Sequence, residues 1–422
     1  MKYINLLIAL VVFLLDVVTL IFLSDKNGFL ALFYCFLSIF KLIFIFYMKR
    51  NILLYFFIFY ISFSLNYYNV IASLFSSTLV YNSNNIVVSL FGQILCLVVL
   101  VVFYKIKGDG VLLQNLKNNK EIHHFGFETN TIIYFFIAYL FSFLSLNFGV
   151  SKMGMEQEIT SNGMVGILNV ARIFVIPLIF PVIYFSSKYK KIVISVFIIW
   201  LFFETFIRSS RGAILNGLLP FIVYYYYCFG LRKKEILSIF VLLVFCVILY
   251  PIVTVMRYGF DSIETGLNEV SIGFFDVYRR VFLAGHIINN FLTTYPEKIW
   301  SGENISIIFE NYGSLSKYTT FNLDKFSSGI SHSSGMTFFS EGLILFGLKG
   351  LFIYTIFLSL VLRFFSEKSI SPVKKMLMFF LVYNFLQQGF VEFMFQQWQY
   401  FFSLLFLFIM AHNKGYIFLR GK

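Results

Sequence analysis

Apolar residues fill most of the chain in long runs that are separated by short polar segments. A helical run of about 17 to 25 such residues crosses the roughly 30 Å of hydrocarbon in a bilayer. The strands of a membrane barrel would instead show short segments of alternating polarity. The pattern predicts an all-α, polytopic integral membrane protein with about twelve spans, at 4–23, 28–48, 52–73, 86–104, 131–149, 165–185, 192–207, 212–229, 236–256, 341–362, 376–391 and 395–411.

One polar segment, at 257–340 between spans 9 and 10, is much longer than the others. We expect it to be a large loop outside the cytoplasm, in a chain that otherwise forms a single transmembrane domain. Within this loop, apolar residues at 273–292 recur at intervals of three and four. That spacing predicts an amphipathic helix that lies on the membrane surface or caps the bundle.

Lysine and arginine are distributed unevenly along the chain. If the N-terminus is cytoplasmic, 20 of the 33 fall in inner segments, 4 in short outer loops, 6 in the long outer loop and 3 within spans. Inner loops of membrane proteins carry this excess, so we expect both termini in the cytoplasm. The net charge of +13 then reports topology, and we expect no nucleic-acid partner.

Several common catalytic patterns are missing from the sequence. There is no phosphate-binding P-loop, no His-Glu-x-x-His zinc motif and no Gly-x-Ser-x-Gly elbow, and the four cysteines all lie in apolar runs without metal-type spacing. We therefore expect no disulfide, no metal and no cofactor. A group transfer on the outer face would need a donor that is already activated and carried by lipid.

Two arginines, Arg208 and Arg211, flank the outer turn between spans 7 and 8. Span 8 starts there, and the free N–H groups and positive dipole end of a helix N-terminus attract anions. Arginine adds a fork that matches phosphate oxygens. The turn is a candidate pyrophosphate site, although both side chains could instead extend to lipid headgroups.

The long loop carries further candidates. Arg279, Arg280 and His286 lie on the predicted helix at 273–292, where Asp276 could alternatively pair with Arg280. His332 lies between serines and is a candidate general base, because histidine titrates near neutral pH. The other interpretation of His332 is a solvated loop histidine.

Charged residues close to or inside the spans each need a reason, because a charge at mid-bilayer costs roughly 2.5–3.5 kcal/mol on insertion scales. Glu341 opens span 10 and either assists catalysis or stabilises the helix dipole. Arg172 and Lys349 are placed about two turns inside the outer ends of spans 6 and 10, where both could face a cavity for lipid-linked phosphate. Lys41 can reach the inner boundary, and the carboxylates inside spans, Asp16 and Glu204, have no partner that the sequence identifies.

Two short stretches resemble the O-antigen and capsule polymerases of bacterial surface polysaccharide assembly. They are Ser-Arg-Gly-Ala at 210–213 and Phe-Ser-Glu-Gly-Leu-Ile-Leu-Phe-Gly-Leu-Lys-Gly-Leu at 339–351. The large outer loop between spans 9 and 10 is similar as well, and the related O-antigen ligases share this plan. The resemblance implies that Arg211 and Arg280, or Arg279, bind pyrophosphate and that His332 acts as base, with Arg257 as a further phosphate ligand.

The resemblance also implies the reaction. A metal-independent glycosyltransferase in the bacterial cytoplasmic membrane would transfer an undecaprenyl-pyrophosphate-linked glycan to the end of another lipid-linked repeat unit. Its partners would be that lipid-linked oligosaccharide, the bilayer and a chain-length regulator. Three alternatives stay open: a ligase that uses lipid A-core as acceptor, a flippase for lipid-linked oligosaccharide, and a structural or regulatory membrane component without activity.

Overall fold

The computed structural model describes the helical parts of the chain. All regular structure in these residues is helical, and no strand occurs among them. The prediction of an all-α chain is therefore confirmed over this part. The described residues are 2–24, 27–47, 51–67, 83–103, 176–186, 189–207, 213–230, 283–303, 305–310, 337–368 and 372–391, with isolated positions between 237 and 249.

The helices are labelled here in chain order. They are α1 (Lys2–Ser24), α2 (Gly28–Tyr47), α3 (Ile52–Ile61), α4 (Ser83–Phe103), α5 (Ile176–Ser186), α6 (Lys190–Phe202), α7 (Ala213–Phe229), α8 (Leu283–Thr294), α9 (Ser306–Glu310), α10 (Phe338–Lys368) and α11 (Pro372–Gln388). Two π-helical segments, Ser62–Tyr67 and Phe203–Ile207, continue α3 and α6, and a 3-10 turn, Pro296–Ile299, follows α8. Apart from α8 and α9, which lie in the predicted outer loop, these helices fall on predicted spans.

Three of the described helical stretches are long and apolar enough to cross a membrane. They are Gly28–Tyr47, Ile86–Phe103 and Phe338–Phe364, with mean hydropathies of 2.4, 2.9 and 2.1. Shorter apolar helices occur at Ala9–Ser24 and Ile52–Tyr67, among others. These helices are compatible with a membrane protein, whereas the total of twelve spans, the identity of the membrane and the side of each terminus remain predictions.

The distribution of side chains on α2 is the reverse of that on a helix in water. Its exposed face carries large apolar residues, including Phe29 at 78% and Leu32 at 72% exposure, while Lys41 is fully buried. A helix in water would expose the lysine and bury the apolar residues. The arrangement fits a helix that faces lipid on one side and a polar interior on the other.

The chain divides into two compact units, and the first contains α1 to α4, α8 to α10 and the C-terminal half of α11. In this unit α1 packs on α2, and α4 packs on α2, α3 and α10. Phe57 of α3 stacks on Phe339 of α10, with ring centroids 6.2 Å apart. The Tyr60 hydroxyl donates to the Leu386 carbonyl at 2.6 Å, which connects α3 to α11.

The second unit contains α5, α6, α7 and the first part of α11. Its core is aromatic, because the rings of Phe180 and Phe197 stack with centroids 3.8 Å apart. Gly217 of α7 packs against this core, since a methyl group there would lie 3.2 Å from Phe197 and from Trp200. A side chain at position 217 would therefore require these rings to shift by a few tenths of an ångström.

The amphipathic helix predicted at 273–292 overlaps α8 in its second half. Buried apolar residues line one side of α8, and they are Ala284, Ile287, Ile288, Phe291 and Leu292. This side packs against α10, α4 and the π-helical segment Ser62–Tyr67. Residues 273–282 lie outside the described part of the chain.

α10 differs from the straight helix that the sequence predicts at 341–362. Gly347 interrupts it with φ +63° and ψ −152°, outside the helical region. The rings of Phe338 and Tyr354 then meet, with centroids 4.9 Å apart, although sixteen residues of straight helix would separate them by about 24 Å. α10 is therefore a hairpin of a short arm, 338–346, and a long arm, 348–368.

Candidate functional site

The short arm of the hairpin begins at a buried cap. The Thr337 backbone N–H donates to Ser340 Oγ at 3.0 Å, and the Ser340 N–H donates to Thr337 Oγ1 at 3.4 Å. This reciprocal pair is a capping box, which satisfies N–H groups that the first helical turn leaves free. Both residues are fully buried. The short arm therefore begins in the interior of the first unit, where protein groups and not water satisfy these N–H groups.

Glycines make the bend of the hairpin. A methyl group on Gly347 would lie 2.5 Å from the Trp300 carbonyl carbon, and one on Gly302 would lie 2.5 Å from the Phe346 nitrogen. Both glycines also have positive φ, at +63° and +68°, which other residues rarely adopt. The bend and the segment around Gly302 thus fit against each other backbone to backbone.

The two arms of the hairpin also approach each other through glycines. A methyl group on Gly350 would lie 1.9 Å from the Gly342 carbonyl oxygen, a distance that no real side chain could hold. Gly342, Gly347 and Gly350 all belong to the stretch 339–351 that carries the family resemblance. That stretch is therefore the folding motif of a helix hairpin.

Glu341 lies in the short arm and is fully buried. Its Oε1 accepts hydrogen bonds from the Tyr354 hydroxyl at 2.8 Å and from the Val391 N–H at 3.0 Å, and its Oε2 accepts from the same N–H at 2.9 Å. Val391 follows Gly389, whose φ of +77° ends α11. One carboxylate thus joins both arms of the hairpin to the chain that follows α11.

Lys349 occupies a different place from the one predicted for it. The span pattern predicts a position about two turns inside the outer end of span 10, whereas in the structure Lys349 is exposed and lies only two residues beyond the Gly347 bend. The bend moves it to the end of the long arm. His286 lies on α8, on the helix that packs against α10. The remaining predicted site residues, namely Arg172, Arg208, Arg211, Arg257, Arg279, Arg280 and His332, lie outside the described residues.

A second buried polar centre surrounds Asp16 of α1, a residue for which the sequence identifies no partner. Lys41 Nζ lies 2.9 Å from Oδ1 and 2.8 Å from Oδ2 of Asp16, and the two side chains are 0% and 3% exposed. The prediction that Lys41 reaches the inner boundary is therefore wrong. Four neutral groups also donate to the carboxylate: Tyr34 Oη at 3.1 Å, Ser38 Oγ at 2.5 Å, Tyr67 Oη at 3.0 Å and Gln93 Nε2 at 3.0 Å.

The Asp16 centre joins four helical elements. Asp16 lies on α1, and its donors come from α2, α4 and the π-helical segment Ser62–Tyr67. The π-helical spacing of that segment determines the face on which Tyr67 meets Asp16. Gln93 lies ten residues from either end of α4, or about 15 Å along the helix. The centre is therefore in the middle of a span-length helix, where an unpaired charge would be costly.

The sequence does contain a signal for this centre. Tyr34, Ser38 and Lys41 are spaced by four and then three residues, so they share one face of α2. A polar face of that kind on an otherwise apolar span predicts a partner of opposite charge inside the bundle. Asp16 is the acidic residue in the preceding span, which makes it the natural choice.

Comparisons with family models, with curated proteins and with solved structures give no match to this chain. Its function is therefore argued from its own residues and from the resemblance of the two short stretches.

Proposed function

We propose that this protein polymerises lipid-linked oligosaccharide repeat units on the outer face of the bacterial cytoplasmic membrane. The supporting observation is the α10 hairpin, whose short arm contains Glu341. The stretch 339–351 that resembles the polymerases folds as one unit, in which Gly347 permits the bend, Gly342 and Gly350 permit the close approach of the arms, and a buried carboxylate joins the arms to Val391. The hairpin follows directly after the long polar segment, 257–340, that carries the candidate catalytic residues.

In this proposal the hairpin positions the end of the loop. Both oxygens of Glu341 are engaged by protein donors, so we assign it a positioning role. The loop enters the hairpin at Thr337, five residues after His332, and the capping box fixes that entry. A general base must stay within about 3 Å of the proton it removes, which requires a rigid attachment nearby.

The reaction is a displacement at a sugar carbon. The acceptor hydroxyl attacks the anomeric carbon of the donor glycan, the bond from that carbon to the pyrophosphate oxygen breaks, and undecaprenyl pyrophosphate leaves. His332 takes the hydroxyl proton. Arg211 and Arg280 stabilise the charge that develops on the leaving pyrophosphate, and one such preorganised contact is worth about 10²–10³ in rate. Arginine supplies the positive charge that a metal ion would otherwise provide.

A polysaccharide gel of a strain that lacks this protein tests the proposal. Complementation with the native chain should restore a ladder of long chains, whereas Arg211→Ala should leave core with a single repeat unit. Lys191→Ala is the matched control, because it removes an exposed cation on α6 that the predicted topology puts on the inner side of the membrane. It should restore the full ladder at the same protein level.

Other patterns on the gel would contradict the proposal and support an alternative. Loss of all repeats from the core, with long chains still attached to carrier lipid, would indicate a ligase. Complete absence of repeats from the outer face would indicate a flippase. An unchanged ladder with Arg211→Ala, Arg280→Ala and His332→Ala, each at normal protein level, would indicate a component without catalytic activity.

A further inference from the structure

Large apolar side chains are exposed on the segment that packs against the hairpin bend. Trp300 is 61% exposed, Ile305 is 49% exposed and Phe309 is 75% exposed. These three residues are called the Trp300 surface below. On the same segment Ile307 and Ile308 are buried, so α9 already has an inward apolar side. The Trp300 surface is the remaining, outward side.

This segment is held firmly in place. The Gly302 N–H donates to the Lys298 carbonyl at 2.8 Å, and the Glu303 N–H donates to the Ile344 carbonyl at 2.5 Å. Lys298 Nζ pairs with Glu303 Oε1 at 2.5 Å and lies 4.7 Å from the centre of the Tyr295 ring. These contacts fix the backbone on both sides of Trp300, so the segment presents its outward side chains from a fixed position.

The same segment lies at the ends of two span-length helices. Asn84, the second residue of α4, donates through Nδ2 to the Pro296 carbonyl at 3.0 Å. At the other end, Trp300 packs against Gly347, where the long arm of α10 begins. Helices α4 and the long arm therefore both start at this segment, and the predicted topology places both starts on the outer side. A surface at this level meets the boundary between lipid and water.

We propose that the Trp300 surface is a membrane anchor, whose three side chains insert among the lipid headgroups and upper acyl chains at this boundary. Indole rings favour that region, because they have an apolar body and one N–H donor. Phe309 and Ile305 supply apolar area to the acyl side, and exposed Lys349 supplies positive charge for headgroup phosphates. This inference does not depend on the proposed polymerase activity.

A bilayer explains the surface better than a sugar chain does. A sugar that stacks on Trp300 would need hydrogen-bonding groups beside the ring. The neighbouring Lys298 and Glu303 are paired with each other. Ile305 and Phe309 offer no donor or acceptor from their side chains, so the outward chemistry of the segment is that of a lipid contact.

Tryptophan fluorescence tests the anchor in vesicles of phosphatidylethanolamine and phosphatidylglycerol. The Trp300 signal is the difference between the native chain and Trp300→Phe, because buried Trp200 and the third tryptophan, Trp398, are present in both. Lipids brominated near the headgroup end of the acyl chain should quench this signal more strongly than lipids brominated near the terminal methyl. Aqueous acrylamide should quench it weakly.

Two added tryptophans calibrate depth in the Trp300→Phe background. Phe309→Trp should show the same shallow quenching as Trp300, and Ile39→Trp, exposed near the middle of α2, should respond most to deep bromines. Strong acrylamide quenching of Trp300 with no effect of any brominated lipid would overturn the anchor. Protection of Trp300 by a soluble oligosaccharide, again without lipid quenching, would overturn it in favour of a sugar site.

Discussion

Replacing Lys41 by methionine should loosen the first unit of the chain. Methionine is similar in length to lysine but carries no charge, so Asp16 would remain buried without its counter-ion. Removing one partner of a buried ion pair costs about 3–5 kcal/mol. The four neutral donors around Asp16 remain, so we expect the lower end, about 3 kcal/mol. Because every 1.4 kcal/mol is a tenfold change, the opened population of this unit should rise about 100-fold.

Cys96 reports this opening from within the unit. It is fully buried on α4, three residues after Gln93, and its Sγ lies 3.6 Å from Ser62 Oγ. A maleimide can reach the thiol only when the unit opens, so the labelling rate follows the open fraction when closing is fast. Mass spectrometry of the labelled peptides separates Cys96 from the other thiols. Buried Cys228, in the second unit, should label at an unchanged rate and serves as the internal reference.

A double variant distinguishes the ion pair from general damage. Asp16→Asn combined with Lys41→Met removes both charges but keeps an acceptor for the tyrosine, serine and glutamine donors, so at least about 2 kcal/mol of the loss should return. Lys191→Met, an exposed change, should have no effect. Labelling of Cys96 at the native rate in Lys41→Met, or labelling in the double variant that is no slower than in the single one, would refute a stabilising ion pair at Asp16.

Two further changes test the hairpin. Gly347→Ala forces a side chain into the positive-φ position against Trp300 and should reduce the folded fraction on gel filtration. Gly28→Ala is the control, because no atom lies within 4 Å of the added methyl group, and it should leave the folded fraction unchanged. Equal folded fractions for the two variants would contradict the bend at Gly347. Glu341→Ala leaves the buried Val391 N–H without its acceptor and should cost about 1–3 kcal/mol in thermal or denaturant unfolding, whereas Glu341→Gln, which keeps an acceptor oxygen, should cost less. A smaller loss for alanine than for glutamine would refute that assignment.

Local pattern was enough to predict the described helices that fall on predicted spans, because the length and apolarity of a run can be read without knowing its neighbours. It was not enough for the α10 hairpin. Gly347 bends the helix where Trp300 and Gly302 pack against it, and that contact joins segments more than forty residues apart. Lys41 was assigned to the boundary for the same reason, since its distance from Asp16 depends on how α1 packs on α2. The helical spacing of Tyr34, Ser38 and Lys41, which puts all three on one face of α2, could have corrected the prediction for Lys41.

Part of the candidate site could be predicted from the sequence and part could not, again because some of its contacts join distant segments. The stretch 339–351 stood out by its glycines and its glutamate, and both have a physical role in the hairpin. The role of Glu341 depends on Val391, fifty residues later, which no local pattern indicates. The predicted arginine and His332 roles concern residues outside the described part of the chain, and they stay predictions.

The π-helical segment Ser62–Tyr67 makes the chain sensitive to changes in backbone geometry as well as to changes in side chains. A π-turn contains one more residue than an α-turn. If the segment took α-helical spacing with all of its residues kept, every residue beyond it would rotate by about 100° relative to α3. Tyr67 would then turn away from Asp16, whose carboxylate it now contacts at 3.0 Å. A change that straightens this segment should therefore be as harmful as one that removes a charge of the Asp16–Lys41 pair.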